Sequence, residues 1–342
     1  MEELGPIHAL IFDDTGLPKK GKHSVGVANQ YCGVLGKNHN CQVSVTISLA
    51  NHAASLPVAH RLYLPKSWTS DRARCDKAHV PADVEFTPKW EIALGLLDNL
   101  RAEDVALPKG TALADAGYGD VYEFRKGLTD RGYRYAVGIS KTTQVWAPGT
   151  QPQPQPYSGF GRPPTGLYRS GENMPLSAYE MACSIPDDAW QDVTWREGSK
   201  GAMSGRFAAV RVRPARRNRR KDVLLPHEWL LIEWDKGDEE PTKYWLSTEP
   251  EDISWARLVK VAKLRWRIER DYQELKQEVG FGDYQGRGWR GYHHHHTLAI
   301  AAYAFLLVER ARLFPPGNPL RPALRLPPLP HAFQPRGASY PH

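Results

Sequence analysis

Four carboxylates in this 342-residue chain stand where acids can do chemistry. Asp13 and Asp14 close the apolar run HALIFDD, Asp115 closes TALAD, and Glu269 lies within LRWRIERDYQELKQEVG. Short apolar runs bounded by turn-forming residues read as buried strands, so the three aspartates fall at the ends of two strands expected in one sheet. Glu269 adds an acid from a helix. Hard cations such as Mg²⁺ prefer oxygen ligands, and two ions roughly 3.5 to 4 Å apart can stabilise both the attacking and the leaving oxygen of phosphodiester cleavage. Aspartates at strand ends are also ordinary turn residues. On these residues alone both readings stay open.

The helix that carries Glu269 has an uneven distribution of charge. At about 100° per residue, Arg265, Glu269 and Lys276 share one narrow face, while Leu264, Ile268, Tyr272, Leu275 and Val279 form an adjoining stripe suited to a core. The acid therefore sits at the margin of that core, flanked by cations. Such a carboxylate could face a polyanion, and the same spacing also describes an i,i+4 ion pair on a solvated face, worth about 0.2 to 0.5 kcal/mol. Glu274 and Glu278, on the same helix, read as solvated charges or ion-pair partners.

Positioning these residues requires a mixed fold. After HALIFDD comes the turn-like TGLPKKGKHS, then QVSVTISLA and HRLYLP as further strands of a meander. TPKWEIALGLLDNLRAE has Ile92, Leu96 and Leu100 on one helical side, and YRYAVGIS is another strand. Strands and helices are mixed, which indicates the α/β or α+β class. Residues 1–140 form the first part of the expected core. Alternating Gln and Pro then favour extended backbone, and DVTWRE, RFAAVRVRPA, EWLLIEWD and TKYWLST make 141–250 a linker followed by a β-rich insertion. Helical patterning returns over 251–313, and the proline-rich 314–342 reads as a disordered tail. Within the helical part, Leu298 to Val308 (LAIAAYAFLLV) is far short of the ~18 residues that span a bilayer, so it is expected to be a buried helix. His293 to His296 point around a helix in all directions, so the four cannot all bind one metal.

Composition narrows the class of partner. With 41% hydrophobic and 24% charged residues the chain is a folded protein. A formal charge of +7 favours a polyanionic partner weakly. Distribution says more: GLPKKGKHS brings Lys19 and Lys20 together, and RVRPARRNRRK brings Arg216, Arg217, Arg219 and Arg220 together. Such clusters neutralise phosphates with little sequence preference, although a solvated basic hairpin has the same composition. Cys32, Cys41, Cys75 and Cys183 form no CxxC pair, which suggests neither a zinc site nor a disulfide framework and fits a reducing cytosol. The amino terminus lacks the pattern of an export signal.

Taken in order, FDDTGLPKKGKHSVGVANQYCGVLGKNHNCQVSV, LADAGYG and RWRIERDYQELKQEVGFGDYQGRGWRGYHHHHTL resemble the DDE transposases of bacterial insertion sequences, most closely the IS701-like branch of the IS4-like group. The resemblance runs from Ile7 to about Leu313. It implies an RNase H-like core, a mixed sheet with flanking helices, interrupted by a β-rich insertion between the second Asp and the Glu. The family's first Asp lies in an Asp-x-Thr context, which selects Asp13 with Asp14 as the alternative. Its second matches Asp115 of ADAGYG, ahead of Asp120. Its Tyr, Arg, Glu, Lys helix places Arg265, Glu269 and Lys276 at the expected offsets, with Ala262 where the family has tyrosine.

The resemblance further implies that Asp13, Asp115 and Glu269 are catalytic and hold two Mg²⁺ or Mn²⁺ ions. Arg265 and Lys276 would orient the DNA backbone, and Tyr284 and Arg287, in the same extended pattern, would touch DNA. The partners implied are transposon ends and target DNA, bound by a homodimer, without a membrane, in the cytoplasm and on the nucleoid. The family normally places a helical DNA-binding region ahead of the first catalytic strand, so a truncated copy is the expectation here.

Overall fold

A computed structural model of the chain describes residues 5–313, apart from 104, 106, 108–109, 154–155, 162–165, 168, 170–173, 199–200 and 217–223. The tail 314–342 and Arg217, Arg219 and Arg220 lie outside the described residues.

The first half holds β1 (Ala9–Pro18), β2 (Ala28–Cys32), β3 (Lys37–Ala50), β4 (Ser55–Leu62), the short α1 (Lys66–Thr69) and α2 (Arg72–Lys77), then α3 (Lys89–Ala102). It continues through β5 (Thr111–Ala114), α4 (Ala116–Gly119), α5 (Tyr122–Asp130) and β6 (Tyr135–Ile139). The second half holds β7 (Gln144–Trp146), β8 (Leu176–Ser177), α6 (Ala178–Cys183), β9 (Gln191–Gly198), β10 (Gly201–Pro214), β11 (Glu228–Glu233) and β12 (Lys243–Ser247). Three helices follow: α7 (Trp255–Lys263), α8 (Trp266–Glu278) and α9 (Trp289–Leu313).

The strands form one mixed sheet in the order β2-β3-β1-β5-β6-β12-β11-β10-β7-β8, with β4 on β3 and β9 on β10. β1, β5 and β6 run parallel, and β3 and β12 flank them antiparallel. This mixed sheet with flanking helices is the expected RNase H-like arrangement. The strands from the β-rich segment do not stand apart: β12 pairs with β6, and they extend the same sheet.

Side-chain alternation along β1 divides the interior into two layers. Ile11 and Leu17 pack with Leu258, Ile268 and Leu275 of α7 and α8, whereas Leu10 and Phe12 pack with Ile92 and Leu97 of α3 and Phe124 of α5. Asp13 therefore belongs to the α8 side and Asp14 to the α3 side.

Three sequence expectations need correction. β1 does not stop at its aspartates, because Thr15 to Pro18 pair with Ser44 to Cys41 and carry the strand past them. The helical pattern expected to run through SWARLVKVAKLRWRIERDYQELKQE is broken before Trp266: Arg267 N–H and Ile268 N–H bond to the carbonyls of Leu264 and Arg265, three residues back, so a tight turn separates α7 from α8, and the expected Leu264 to Gly280 helix is α8. Finally, α9 is not buried all round. Tyr303 and Leu307 are buried, but Leu298 is 57% and Phe305 64% exposed, because β4 and α8 cover one side only. The strand β2 has little alternation of its own and is not apparent from the sequence.

A buried polar network fixes α8. Asp271 accepts from Ser55 Oγ, at the start of β4, and from Tyr303 Oη of α9 at 3.3 Å, while Glu274 accepts from Arg270 at 3.1 Å and Arg310 at 3.0 Å. Burial pushes the Asp271 carboxyl up to about 7. A carboxyl raised in the folded state favours folding below its unfolded value near 4 and loses that contribution as pH rises through 7. Asp271→Asn should therefore gain stability relative to the parent by about 2 to 4 kcal/mol between pH 4 and pH 8. Urea unfolding of both proteins across that range checks it; a difference independent of pH refutes it.

Candidate active site

The ADAGYG segment folds as it does because its glycines allow close approach. Asp115 ends β5 and caps α4, its Oδ1 accepting from Gly117 N–H at 2.9 Å. A Cβ on Gly119 would fall 1.9 Å from the Gly138 carbonyl oxygen of β6, so only glycine lets α4 sit on that strand. The parallel pairing of Phe12 with Ala114 then sets Asp13 beside Asp115, both on the α8 side of the sheet. Asp120, the weaker candidate, instead accepts from Ser140 N–H at 2.9 Å and Thr143 Oγ1 at 2.6 Å and ties down the chain after β6.

Asp13, Asp115 and Glu269 line a single cavity of about 970 Å³. Arg265 sits among them, donating to Asp13 Oδ2 at 2.6 Å and lying 3.6 Å from Glu269. The other Asp13 oxygen accepts from Asp14 N–H at 2.7 Å. Burial pushes the Asp13 carboxyl up to about 7 against the opposing pull of Arg265, with Asp115 and Asp14 adding to the rise. Behind it, the buried Tyr272 hydroxyl is 2.6 Å from Thr46 Oγ1. Glu269 is on the rim, its side chain 72% exposed.

Asp14 lines the same cavity but is held from the α3 side. Lys89 Nζ, at the start of α3, donates to its two oxygens at 3.0 and 3.1 Å, and Tyr118 Oη donates at 3.2 Å. Sequence reasoning singles out neither Lys89 nor Tyr118. Tyr118 stands inside ADAGYG, whereas nothing in the spacing around Lys89 links it to a site formed by distant strands.

The remaining candidates are dispersed. Lys276 lines the cavity and donates to Thr15 Oγ1 at 2.6 Å and to the Gly16 carbonyl at 3.2 Å, and burial lowers its ammonium to about 8. Lys19 donates to the Gly282 and Tyr284 carbonyls at 3.2 and 2.6 Å, which makes it a staple for the loop before α9. Tyr284 Oη donates to the Gly288 carbonyl at 3.0 Å. Lys20 and Arg287 are exposed near that loop, whose Arg287 carbonyl accepts from Val25 N–H at 3.1 Å. Arg216 lies apart, stacked 3.9 Å over Tyr122 and 3.3 Å from Glu123 of α5.

A second cavity of about 530 Å³ shares Asp115, Arg265 and Glu269 and continues along Arg196, Lys263 and Trp266. The acids thus occupy the middle of a longer cleft. The donor set is carboxylate oxygen, which suits hard divalent cations. Among the described residues no three acid, His or Cys side chains converge closely enough to hold a metal as they stand. The guanidinium of Arg265 is ion-paired to both Asp13 and Glu269 and so stands between these acids. Among the described residues, no helix is long and apolar enough to cross a membrane.

Comparison with known families matches residues 1–202 to a model described as DDE superfamily endonuclease. No curated protein matches the chain.

Proposed function

The chain belongs to the DDE superfamily endonucleases, and from that premise we propose that it is a DNA transposase of the IS701-like branch, hydrolysing phosphodiesters at insertion-sequence ends and joining the freed 3′-hydroxyl to target DNA. Membership makes nuclease chemistry its reaction class and DNA its substrate class. One observation carries the finer reading: acids from a strand, a strand end and a helix far apart in the chain line one cavity with Arg265 among them.

In this reading Asp13, Asp115 and Glu269 hold two Mg²⁺ or Mn²⁺ ions. When bound, such ions supply an activated oxygen nucleophile and positive charge for the leaving oxygen. With the acids so engaged, Arg265 turns to the DNA backbone, where its planar fork matches two phosphate oxygens. Lys276 remains on Thr15 and Gly16 and makes that wall positive. Lys89 and Tyr118 hold Asp14, keeping β1 in place beside β5. The division 1–140, 141–250 and 251–313 then corresponds to a catalytic core, a β-rich insertion sharing its sheet, and the helices that complete the core.

Two chains bringing two DNA ends together is the assembly we propose. The outer face of α9 supports it, since Leu298, Ala301, Ala302 and Phe305 recur at helical spacing and are exposed.

The test is a supercoiled plasmid carrying the gene with its native flanks. We expect nicking and joined products with Mg²⁺ or Mn²⁺ and none with EDTA, from a protein that scatters light as a dimer and that Phe305→Glu shifts to monomer. Cleavage without joining would identify a DDE endonuclease that does not transpose. Salt-sensitive binding with no cleavage would leave a DNA-binding remnant.

A further inference from the structure

The hairpin formed by β2 and β3 carries three exposed apolar side chains at its tip. Its tip is a single tight turn, Gly33–Leu35, closed by Gly36 N–H bonding to the Gly33 carbonyl with Gly36 at φ 63°. Tyr31 is 62%, Val34 58% and Leu35 41% exposed. Clustered apolar exposure of this kind marks a contact surface.

Beneath the tip the hairpin is firmly anchored. Cys32 is fully buried with Cys41 and Val43, and Gln30 Nε2 donates to the Cys41 carbonyl at 2.9 Å. A Cβ on Gly16 would fall 2.7 Å from Cys32 Sγ, so the hairpin is pressed onto β1 three residues beyond Asp13. Tyr31, Gly33 and Val34 form part of the wall of the cavity that holds the acids, with Gln273 and Gln277 of α8 also lining it.

The occupant follows from charge. Residues 19–37 carry Lys19, Lys20, Lys22 and Lys37 and no acid. Lys37 pairs with Cys32 beneath the tip, and the loop that carries Lys19 and Lys20 is tied to Asn40 of β3, with Lys19 Nζ itself held by the Gly282 and Tyr284 carbonyls. Lysines are depleted at the centres of protein interfaces, whereas a positive hairpin with an apolar tip suits duplex DNA, where cations contact phosphates and apolar side chains enter a base step.

We propose that this hairpin is a wedge: Val34 and Leu35 enter the base step next to the scissile phosphate and Tyr31 stacks on the displaced base. The proposal rests on the endonuclease reading and adds to it a residue set that deforms the substrate. Unstacking a step costs a few kcal/mol, and burying the exposed tip offsets part of it. A substrate already unpaired at that step needs no wedge.

The test compares wild type with Val34→Ser/Leu35→Ser, two exposed positions whose replacement leaves the anchor intact. In Ca²⁺, a duplex carrying the native end of the element, with 2-aminopurine in the base step beside the scissile phosphate, should brighten on binding wild type and stay dim with the variant. In Mn²⁺, the variant should cut a fully paired duplex about tenfold more slowly than wild type, and one mismatched beside the cut within about twofold of it. Equal fluorescence for both proteins, or the same deficit on both duplexes, overturns the wedge. If wild type cuts neither duplex, the endonuclease reading fails, and the fluorescence comparison still decides the wedge.

Discussion

Asp115→Asn and Glu269→Gln should each fold normally and lose metal-dependent DNA cleavage by about a thousandfold or more, which corresponds to roughly 4 kcal/mol of lost transition-state stabilisation. The substitutions remove charge while keeping shape. The amide introduced by Asp115→Asn retains an oxygen to accept from Gly117 N–H, so α4 keeps its cap, and Glu269 is largely exposed, so its amide is accommodated. Asp13→Asn should be equally damaging, because Asp13 shares the α8 side of the sheet with the other two acids. Asp14→Asn and Asp120→Asn should stay within about tenfold of wild type, since Asp14, though on the same cavity, is held by Lys89 and Tyr118, and Asp120 is tied to Ser140 and Thr143. Single-turnover cleavage in Mn²⁺, beside thermal melts of the same samples, is the measurement. An Asp115→Asn or Glu269→Gln protein that still cuts at the parental rate would remove the acids from the mechanism.

The second large effect concerns the backbone rather than the acids. Gly119→Ala should destabilise the fold by at least about 3 kcal/mol, seen as a fall in Tm of roughly 6 °C or more. The added Cβ has no flexible neighbour to displace: it meets the Gly138 carbonyl oxygen at 1.9 Å and Val137 Cβ at 3.0 Å. Relief requires α4 to lift from β6, and Asp115, the residue that caps α4, must move with it. Cleavage should therefore fall together with stability. Gly95→Ala is the contrasting change, because no atom lies within 4 Å of its added Cβ in the middle of α3. It should hold or raise stability, by up to about 1 kcal/mol. If Gly119→Ala melted with wild type, the close packing of α4 on β6 would not be a constraint on the sequence.

Much of the fold was legible in the chain because local patterns carry it. The stripe of Ile268, Tyr272 and Leu275 does face the core, and the apolar runs before Asp13 and Asp115 do form strands of one sheet, which the structure pairs in parallel. The boundaries were less legible. A strand persists as long as a partner pairs with it, and Thr15 to Pro18 have no alternation to announce that β3 would be there. Amphipathicity misled in α9 for a related reason: an apolar run states what can be buried, while its neighbours decide how much is covered.

Residue type and order along the chain determined the acids, the cations that accompany them and the helix face that Arg265 and Glu269 share, because these are matters of composition and of a 3.6-residue period. Tertiary structure alone decided that Arg265 bonds to Asp13, that Lys89 holds Asp14, that Lys19 is tied to a loop and that an apolar hairpin tip overhangs the acids. Each of these joins segments remote in sequence. The distance between such segments is set by how sheet and helices pack, which no local pattern encodes.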